Sequence, residues 1–158
     1  MGGGIRLSYW KQGEDVTAIG EKQGRISYDV ARISVPLLPP PSLRGNSSQS
    51  KKDWAYREDY RTWSLFWQVA IRDWLKKRGW PAGVHIDPAV AHIIFVVPDR
   101  RRRDMDNYKR TGKAAFDAMV ALGLLKDDSA AHLVDITGEM VVDKAEAPKT
   151  IIELRRVG

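Results

Sequence analysis

The stretch VAHIIFVVPDRRRRDMDN, residues 90–107, joins the two features that organise this chain. Its first eight residues are a nearly continuous apolar run of strand length that is bounded by Pro88 and Pro98. A run of this kind is typical of a central strand that is covered on both faces. The residues that follow are mostly charged, so the sequence predicts a buried strand that leads directly into a charged surface segment.

The segments on either side of this stretch complete a small domain. In chain order, the predicted elements are a strand at 32–35, a helix at 54–78, the central strand at 90–97, a helix at 107–123, and strands at 133–142 and 149–156. Gly79 and Pro81 end the first helix, Gly123 closes the second, and a turn near Ala147 and Pro148 joins the last two strands. This order predicts an α+β fold, a single domain with a small mixed β-sheet and two main helices.

Two segments have no assigned secondary structure. Residues 1–29 form an N-terminal extension of uncertain structure, with a possible short strand at 5–10, and the domain proper is expected to span residues 30–158. Residues 36–52 form a loop rich in Pro, Ser and Gly that ends in basic residues. This loop is either a connector or a mobile segment whose basic end could become ordered on contact with a polyanion such as DNA.

Composition restricts the class of protein. A chain of 158 residues with 43% hydrophobic residues fits one domain with one core, and the absence of Cys excludes disulfides and Cys-ligated zinc. No apolar run approaches the roughly 20 residues that span a bilayer. A soluble, cytoplasmic protein that does not associate with membranes is expected, and its net charge of +6 favours a polyanionic partner.

The charges are unevenly distributed along the chain. Residues 99–113 contain five Arg and two Lys against three Asp, a net charge of +4, whereas residues 127–147 contain six acids and one Lys, a net charge of −5. The side chains predicted to contact DNA phosphates are Arg100, Arg101, Arg102, Arg103, Lys109 and Arg110. The alternative for the four consecutive arginines is a solvated run of charge.

Asp104 and Asp106 are the first candidates for metal ligands. If the chain is still extended where it leaves the strand, two residues that are two apart point their carboxylates to the same side. Two or three carboxylates and a substrate phosphate suit Mg²⁺, which prefers oxygen ligands. The alternative is that one residue, Asp106, serves as the N-cap of the following helix.

The predicted second helix has one charged and one apolar face. Its charged face carries Asp106, Lys109, Arg110, Lys113 and Asp117, and its apolar face carries Tyr108, Ala115, Phe116, Met119 and Leu122. A lysine on the charged face could neutralise the charge that develops on a cleaved phosphate. The simpler alternative for Lys113 is a solvated helix residue.

Asp127 and Asp128 follow this helix, in a loop that could fold back beside its start. Asp128 would then complete a site with Asp104 and Asp106, while Asp127 fits a turn better than a ligand position. Three adjacent carboxylates repel one another unless a cation binds, which is a physical reason to expect a metal. The predicted chemistry is attack of a metal-activated water on a phosphodiester.

These motifs resemble the RusA-type Holliday junction resolvases, also called crossover junction endodeoxyribonucleases. The segments PDRRRRDMDN and KAAFDAM, a Gly, a short apolar run and the pair DD occur here in the family's order, and the likeness extends over residues 33–156. The resemblance implies a homodimeric, Mg²⁺-dependent nuclease, with Mn²⁺ as a substitute, that nicks four-way DNA junctions symmetrically in recombination and repair. It also implies a bacterial or phage-encoded, nucleoid-associated protein.

By this resemblance, Asp104, Asp106 and Asp128 match the family's catalytic aspartates, and Lys113 matches its essential lysine. This chain has about three additional residues before Lys113, so Lys109 is a competing assignment. Two other functions are considered, a flap or fork nuclease of broader specificity and a junction-binding protein without activity.

The histidines and tryptophans predict structural roles. His85, His92 and His132 are scattered along the chain, as expected of structural residues. Trp54, Trp63, Trp67 and Trp74 recur at helical spacing, which favours packing in the core or a dimer interface, with base stacking by an exposed member as the alternative.

Overall fold

The computed structural model of this protein describes residues 27–45 and 54–158. In chain order its elements are strand β1 (Val30–Val35), a short 3-10 helix (Pro41–Leu43), helix α1 (Trp54–Arg78), strand β2 (Ala89–Val97), helices α2 (Met105–Arg110) and α3 (Lys113–Ala121), and strands β3 (Leu133–Val142) and β4 (Lys149–Arg156). In this described part of the chain, none of the helices has the length and apolar character needed to cross a membrane.

The strands form one mixed sheet in the order β1-β4-β2-β3. Strand β2 pairs with β4 in antiparallel and with β3 in parallel orientation, and all nine of its residues are buried. The apolar run after Pro88 is therefore the interior strand that the sequence predicted. The predicted class, a single α+β domain with a small mixed sheet, is also confirmed.

Strands β3 and β4 follow each other in the chain but are not neighbours in the sheet. They lie on opposite sides of β2, and the turn that joins them carries the chain past one end of that strand. Strand β2 is the most apolar strand of the sheet. Because it lies between β4 and β3, its backbone is hydrogen-bonded along both edges, and its side chains are buried. The parallel β2–β3 pair needs a long crossover, which contains α2 and α3.

Helix α1 has the bounds predicted from its apolar spacing. Trp63, Trp67 and Ile71 are fully buried on the face that packs against the sheet, and the two tryptophan rings form an edge-to-face pair with centroids 5.8 Å apart. The helix ends at Arg78, and the next residue, Gly79, has a φ of 58°, in the left-handed region that favours glycine. Core packing is thus confirmed for these two tryptophans.

The single helix predicted over residues 107–123 is wrong, because Thr111 and Gly112 divide it into α2 and α3. The buried Thr111 hydroxyl donates to the Tyr108 carbonyl at 2.5 Å, and the Trp63 indole N–H donates to the Thr111 carbonyl at 2.9 Å. At Gly112 a Cβ atom would meet Ile93 Cδ1 at 2.7 Å, so no larger residue fits without a shift. The break brings the chain close to the sheet.

The described part of the loop after β1 is anchored. The Thr150 hydroxyl donates to the Leu37 carbonyl at 2.9 Å, and the Ser42 hydroxyl donates to the Asp59 carboxylate at 2.7 Å. These contacts connect residues 37 and 42 to β4 and α1, and the choice between a connector and a mobile segment stays open. Residues 46–53 and 1–26, with the possible strand at 5–10, lie outside the described residues, so a DNA-contacting role for this loop stays a prediction.

Candidate active site

The loop that leaves β2 is held by an internal network between Asp99 and Arg103. The Arg103 guanidinium donates to the Asp99 carboxylate at 2.8 Å and to the Asp99 and Arg101 carbonyls at 3.0 and 3.1 Å, and its side chain is only 4% exposed. The Arg101 amide and the Arg103 guanidinium both donate to this carboxylate, which lowers the pKa of Asp99. Arg103 thus shapes the loop.

The other three arginines of this run, Arg100, Arg101 and Arg102, have exposed side chains. They extend from a loop that Arg103 fixes, so their guanidinium groups are displayed at the carboxyl end of β2. Of the four arginines predicted to contact DNA, three are therefore exposed to solvent, and Arg103 is a structural residue of the loop.

Asp104 is the N-cap of α2, with extended backbone angles of φ −86° and ψ 108°. One of its carboxylate oxygens accepts from the Asp106 and Asn107 amides at 3.0 and 3.3 Å, and the other accepts from the Asn107 side chain at 3.3 Å. The extended geometry predicted for the Asp104–Asp106 pair is wrong, because the helix has already begun at Met105. The alternative prediction was that Asp106 is the N-cap of this helix, but the structure has the N-cap at Asp104.

A cleft of about 760 Å³ opens between α2, α3 and the start of β3. Its charged side chains are three acids and three bases: Asp106, Asp128, Asp135, Lys109, Arg110 and Lys113. Five of these six were predicted site residues from two separate segments, and the fold brings them to one surface. Asp104 does not line this cleft.

Lys113, the first residue of α3, connects the helix to the loop that folds back beside it. Its ammonium donates to Asp117 at 3.0 Å and to Asp128 at 3.1 Å. These two hydrogen bonds raise the pKa of Lys113, the Asp117 bond more than the Asp128 bond. Asp128 therefore does fold back beside a helix start, but at Lys113, the first residue of α3, and not at the start of the helix predicted over residues 107–123.

Asp127 takes the turn role that was predicted for it. The Ser129 hydroxyl is the main cause of the lowered pKa of the Asp127 carboxyl, and the Asp128 amide adds to the effect. Its carboxylate is not among those that line the cleft. Asp127 and Asp128 are adjacent in sequence but differ in position, and only the second faces the cleft.

Asp135 was not identified from the sequence. It lies near the start of β3, and its carboxylate accepts from the Ile136 amide at 2.9 Å. Asp135 reaches the cleft because α2 packs across β3. The packing is close at Gly138, where an added Cβ atom would lie 3.1 Å from Met105 Sδ and 3.5 Å from Lys109 Cδ. The Gly at position 138 was the only sequence signal for this close approach, and glycine in a strand is a weak signal.

The predicted convergence of Asp104, Asp106 and Asp128 around one ion is not found. No three His, Cys, Asp or Glu side chains among residues 27–45 and 54–158 are grouped so as to hold one metal ion. The donor chemistry nevertheless fits Mg²⁺, which binds oxygen ligands and often takes one or two carboxylates together with waters and phosphate. Asp106 and Asp128 supply two carboxylates on the walls of one cleft.

The histidines have the structural partners expected of them. His92 contacts Thr137 at 2.6 Å and Glu139 at 2.9 Å, His132 contacts Asp87 at 2.7 Å, and His85 contacts the Gly123 carbonyl at 2.8 Å. None of the three lines the cleft. Trp54 differs from the buried tryptophans because it is 67% exposed, so base stacking stays a prediction for it alone.

A scan against protein-family models and a search of curated proteins found no match to this chain.

Proposed function

We propose that this chain is a Mg²⁺-dependent endonuclease that cuts branched DNA, with the four-way junction as its preferred substrate. One observation carries the proposal. Asp106 and Asp128, from segments 22 residues apart in sequence, face the same open cleft as Lys109, Arg110 and Lys113. Carboxylates beside cations in an open cleft suit a phosphodiester, because the cations bind phosphate and the carboxylates hold the divalent ion.

The basic side chains bind and orient the DNA backbone. Arg100, Arg101 and Arg102 are exposed on the loop before α2, and Lys109 and Arg110 line the cleft that follows. Each cation that neutralises a phosphate releases counterions, so these residues supply affinity without reading sequence. Binding that depends on backbone position suits an enzyme that recognises DNA shape.

Asp106 and Asp128 would hold the Mg²⁺, with Asp104 as the third candidate that the family resemblance implies. When bound, the ion supplies Lewis-acid stabilisation of the phosphate and lowers the pKa of water. Asp104 already accepts three hydrogen bonds from α2, so its first role is to fix the start of the helix that carries Asp106.

Lys113 holds a proton at Nζ beside the cleft. Its raised pKa means that the ammonium keeps its proton, so that Lys113 can stabilise negative charge on the phosphate. Lys109 also lines the cleft and remains the competing assignment. The hydrogen bond to Asp128 favours Lys113, since it joins the lysine to a proposed ligand.

The direct test is a nicking assay on a synthetic four-way junction, with and without Mg²⁺, alongside a flap and a linear duplex. We expect paired nicks on the junction only with the metal and much slower cutting of the linear duplex. Equal rates on junction and flap would support the broader nuclease, and the absence of nicking in Mg²⁺ and in Mn²⁺ would overturn the proposal.

Asparagine variants of Asp104 and Asp106 distinguish a role in helix capping from a role in cleavage. Asn caps a helix about as well as Asp, so Asp104→Asn keeps the start of α2 and removes only the charge. We expect Asp106→Asn to lose at least about 100-fold in cleavage rate, as for removal of a group that stabilises the transition state. Asp104→Asn should lose as much if Asp104 is a metal ligand, as the family resemblance implies, and should change the rate by no more than a few-fold if it is only the helix cap. Junction binding should be largely retained, and full activity in either variant would remove that residue from the site.

A junction-binding protein without activity is the second candidate. The observation that favours it is the Lys113 ammonium, which already neutralises Asp128 in a cleft where no three acidic or histidine side chains are grouped for a metal, within residues 27–45 and 54–158. This alternative predicts tight junction binding that is the same with and without Mg²⁺, and no nicks.

A further inference from the structure

Another cavity lies at the sheet edge opposite to the candidate active site. It has a volume of about 430 Å³ and opens between β1 and the second half of α1. The strand order β1-β4-β2-β3 places β1 at one edge of the sheet and β3, which borders the cleft, at the other edge. This cavity, called here the edge groove, is therefore separate from the cleft.

One wall of the edge groove is the backbone edge of β1. Arg32, Ile33 and Ser34 all line the groove, although consecutive residues of a strand point their side chains to opposite faces. What the three residues share is the edge of the strand. In the part of the chain that the structure describes, 27–45 and 54–158, β1 pairs with β4 alone. An edge strand directs the N–H and C=O groups of every second residue outward, where another extended chain can pair with them.

The other wall is formed by α1 and combines apolar with basic side chains. Ala70 and Trp74, one helical turn apart, supply apolar surface, and the Arg78 guanidinium lies over the Trp74 ring, 4.7 Å from its centroid. Lys77 and Asp73 pair with each other at 3.0 Å. Arg78 thus adds a positive charge beside an apolar surface.

The charge of the edge groove favours an acidic partner. Its charged side chains are three bases, Arg32, Lys77 and Arg78, and one acid, Asp73. Arg32 contacts Glu153, whose side chain is only 7% exposed, whereas the Arg32 side chain is 37% exposed and lines the groove. Arg32 and Arg78 therefore present basic groups on the two walls of the groove.

We propose that the edge groove binds an extended acidic peptide segment of a partner protein, which adds to the sheet as a fifth strand beside β1. Backbone hydrogen bonds to β1 hold the segment, and its side chains alternate between the two faces of the sheet. Apolar side chains on the α1 face contact Ala70 and Trp74, and acidic side chains on the other face pair with Arg32. The partner segment therefore alternates acidic and apolar residues.

The backbone edge favours a peptide over nucleic acid. The edge of β1 offers both N–H donors and C=O acceptors, and a peptide backbone matches both. A phosphodiester backbone has acceptors only, so it would leave the carbonyl groups of β1 without partners.

This inference goes beyond the proposed nuclease function and does not depend on it, because binding is measured without metal. The probe is a fluorescein-labelled peptide of alternating acidic and apolar residues, Asp-Val-Glu-Ile-Glu-Val-Asp, and its fluorescence anisotropy is followed on titration with the full chain. We expect saturable one-to-one binding. A peptide with Lys at the four acidic positions should not bind.

Two variants and one modified peptide give the controls. Arg78→Glu should weaken binding about fivefold or more, since a repulsion replaces an attraction, whereas Lys76→Glu makes the same charge change off the groove and should leave binding unchanged. Circular dichroism checks that both variants are folded. The acidic peptide with every amide N-methylated keeps its charge but has no backbone donors, and it should not bind.

Three results would overturn the proposal. Binding of the N-methylated peptide as tight as that of the unmodified one would show charge attraction without strand addition. Equal effects of Arg78→Glu and Lys76→Glu would place the peptide outside the edge groove. Displacement of the bound peptide by a short DNA duplex would show that the groove takes phosphate.

Discussion

At the scale of single residues, identical side chains in one run have different tasks. Arg100 to Arg103 are four consecutive arginines, but only Arg103 has a buried side chain, which donates to the carboxylate and carbonyl of Asp99. Its neighbours are exposed. The difference depends on where the loop turns after Pro98, which the sequence of four identical residues does not specify.

Arg102→Ala and Arg103→Ala should therefore differ. Arg102→Ala removes one exposed cation, so the slope of log K against log salt for duplex binding should fall in magnitude by about 0.9. Arg103→Ala should instead lower the thermal stability of the protein, because the Asp99 carboxylate loses one of its two donors and the Asp99 and Arg101 carbonyls lose the Arg103 donor. DNA titrations at several salt concentrations and thermal unfolding of both variants check this. Equal effects of the two substitutions on both measurements would contradict the assignment.

The lowered pKa of Asp99 predicts that its contribution to the stability of the protein is lost at low pH. Hydrogen bonds from the Arg101 amide and Arg103 lower the pKa of Asp99 in the folded protein. The ionised Asp99 carboxylate therefore stabilises the fold fully at pH values above the ordinary pKa of 3.8. This stabilisation is lost as the pH falls through the lower folded value. The difference in unfolding free energy between the original chain and Asp99→Asn should be constant near neutral pH and shrink below pH 3.8. A difference that grows on acidification would contradict this.

At the scale of elements, the hydrogen bond between α1 and the α2–α3 break links the core to the site. Trp63 donates its indole N–H to the Thr111 carbonyl, whereas the Trp67 indole N–H is buried without a hydrogen-bond partner in the described part of the chain. Both side chains are fully buried. The two residues therefore form a matched pair in which only one side chain fixes the break.

Trp63→Phe should be more destabilising than Trp67→Phe. Both substitutions remove a similar volume, but the first also leaves the buried Thr111 carbonyl without its donor, which costs about 1–3 kcal/mol. Trp67→Phe instead removes an unpaired buried N–H group. Urea unfolding of the two variants measures the difference, and equal losses of stability would show that the hydrogen bond contributes little.

The elements that depend on local pattern were predictable, and the break in the second helix was not. Helix α1 and the buried strand follow from apolar spacing and from Gly and Pro at their ends. Residues 107–123 have a helical pattern throughout, yet Thr111 and Gly112 interrupt it. The cause is the contact with Trp63 and the close approach to Ile93, both distant in sequence.

At the scale of the whole molecule, the cleft combines residues that the sequence could name with one that it could not. Asp106, Lys113 and Asp128 were predicted from their motifs and share a surface with Asp135, which reaches it only because α2 lies over β3. The role of Asp104 as helix cap depends on where α2 begins. The residue types suggested candidate ligands and phosphate-binding groups, but the tertiary fold determined which carboxylates face the cleft.

The central claim is that Asp128 acts in cleavage through its position in the cleft. Asp117 is its natural control, because both carboxylates accept a hydrogen bond from Lys113 but only Asp128 lines the cleft. The measurement is the rate of Mg²⁺-dependent nicking of a four-way junction by Asp128→Asn and Asp117→Asn. We predict a loss of at least about 100-fold for Asp128→Asn and a change within a few-fold for Asp117→Asn. Equal rates for the two variants, or an unchanged rate for Asp128→Asn, would contradict the account.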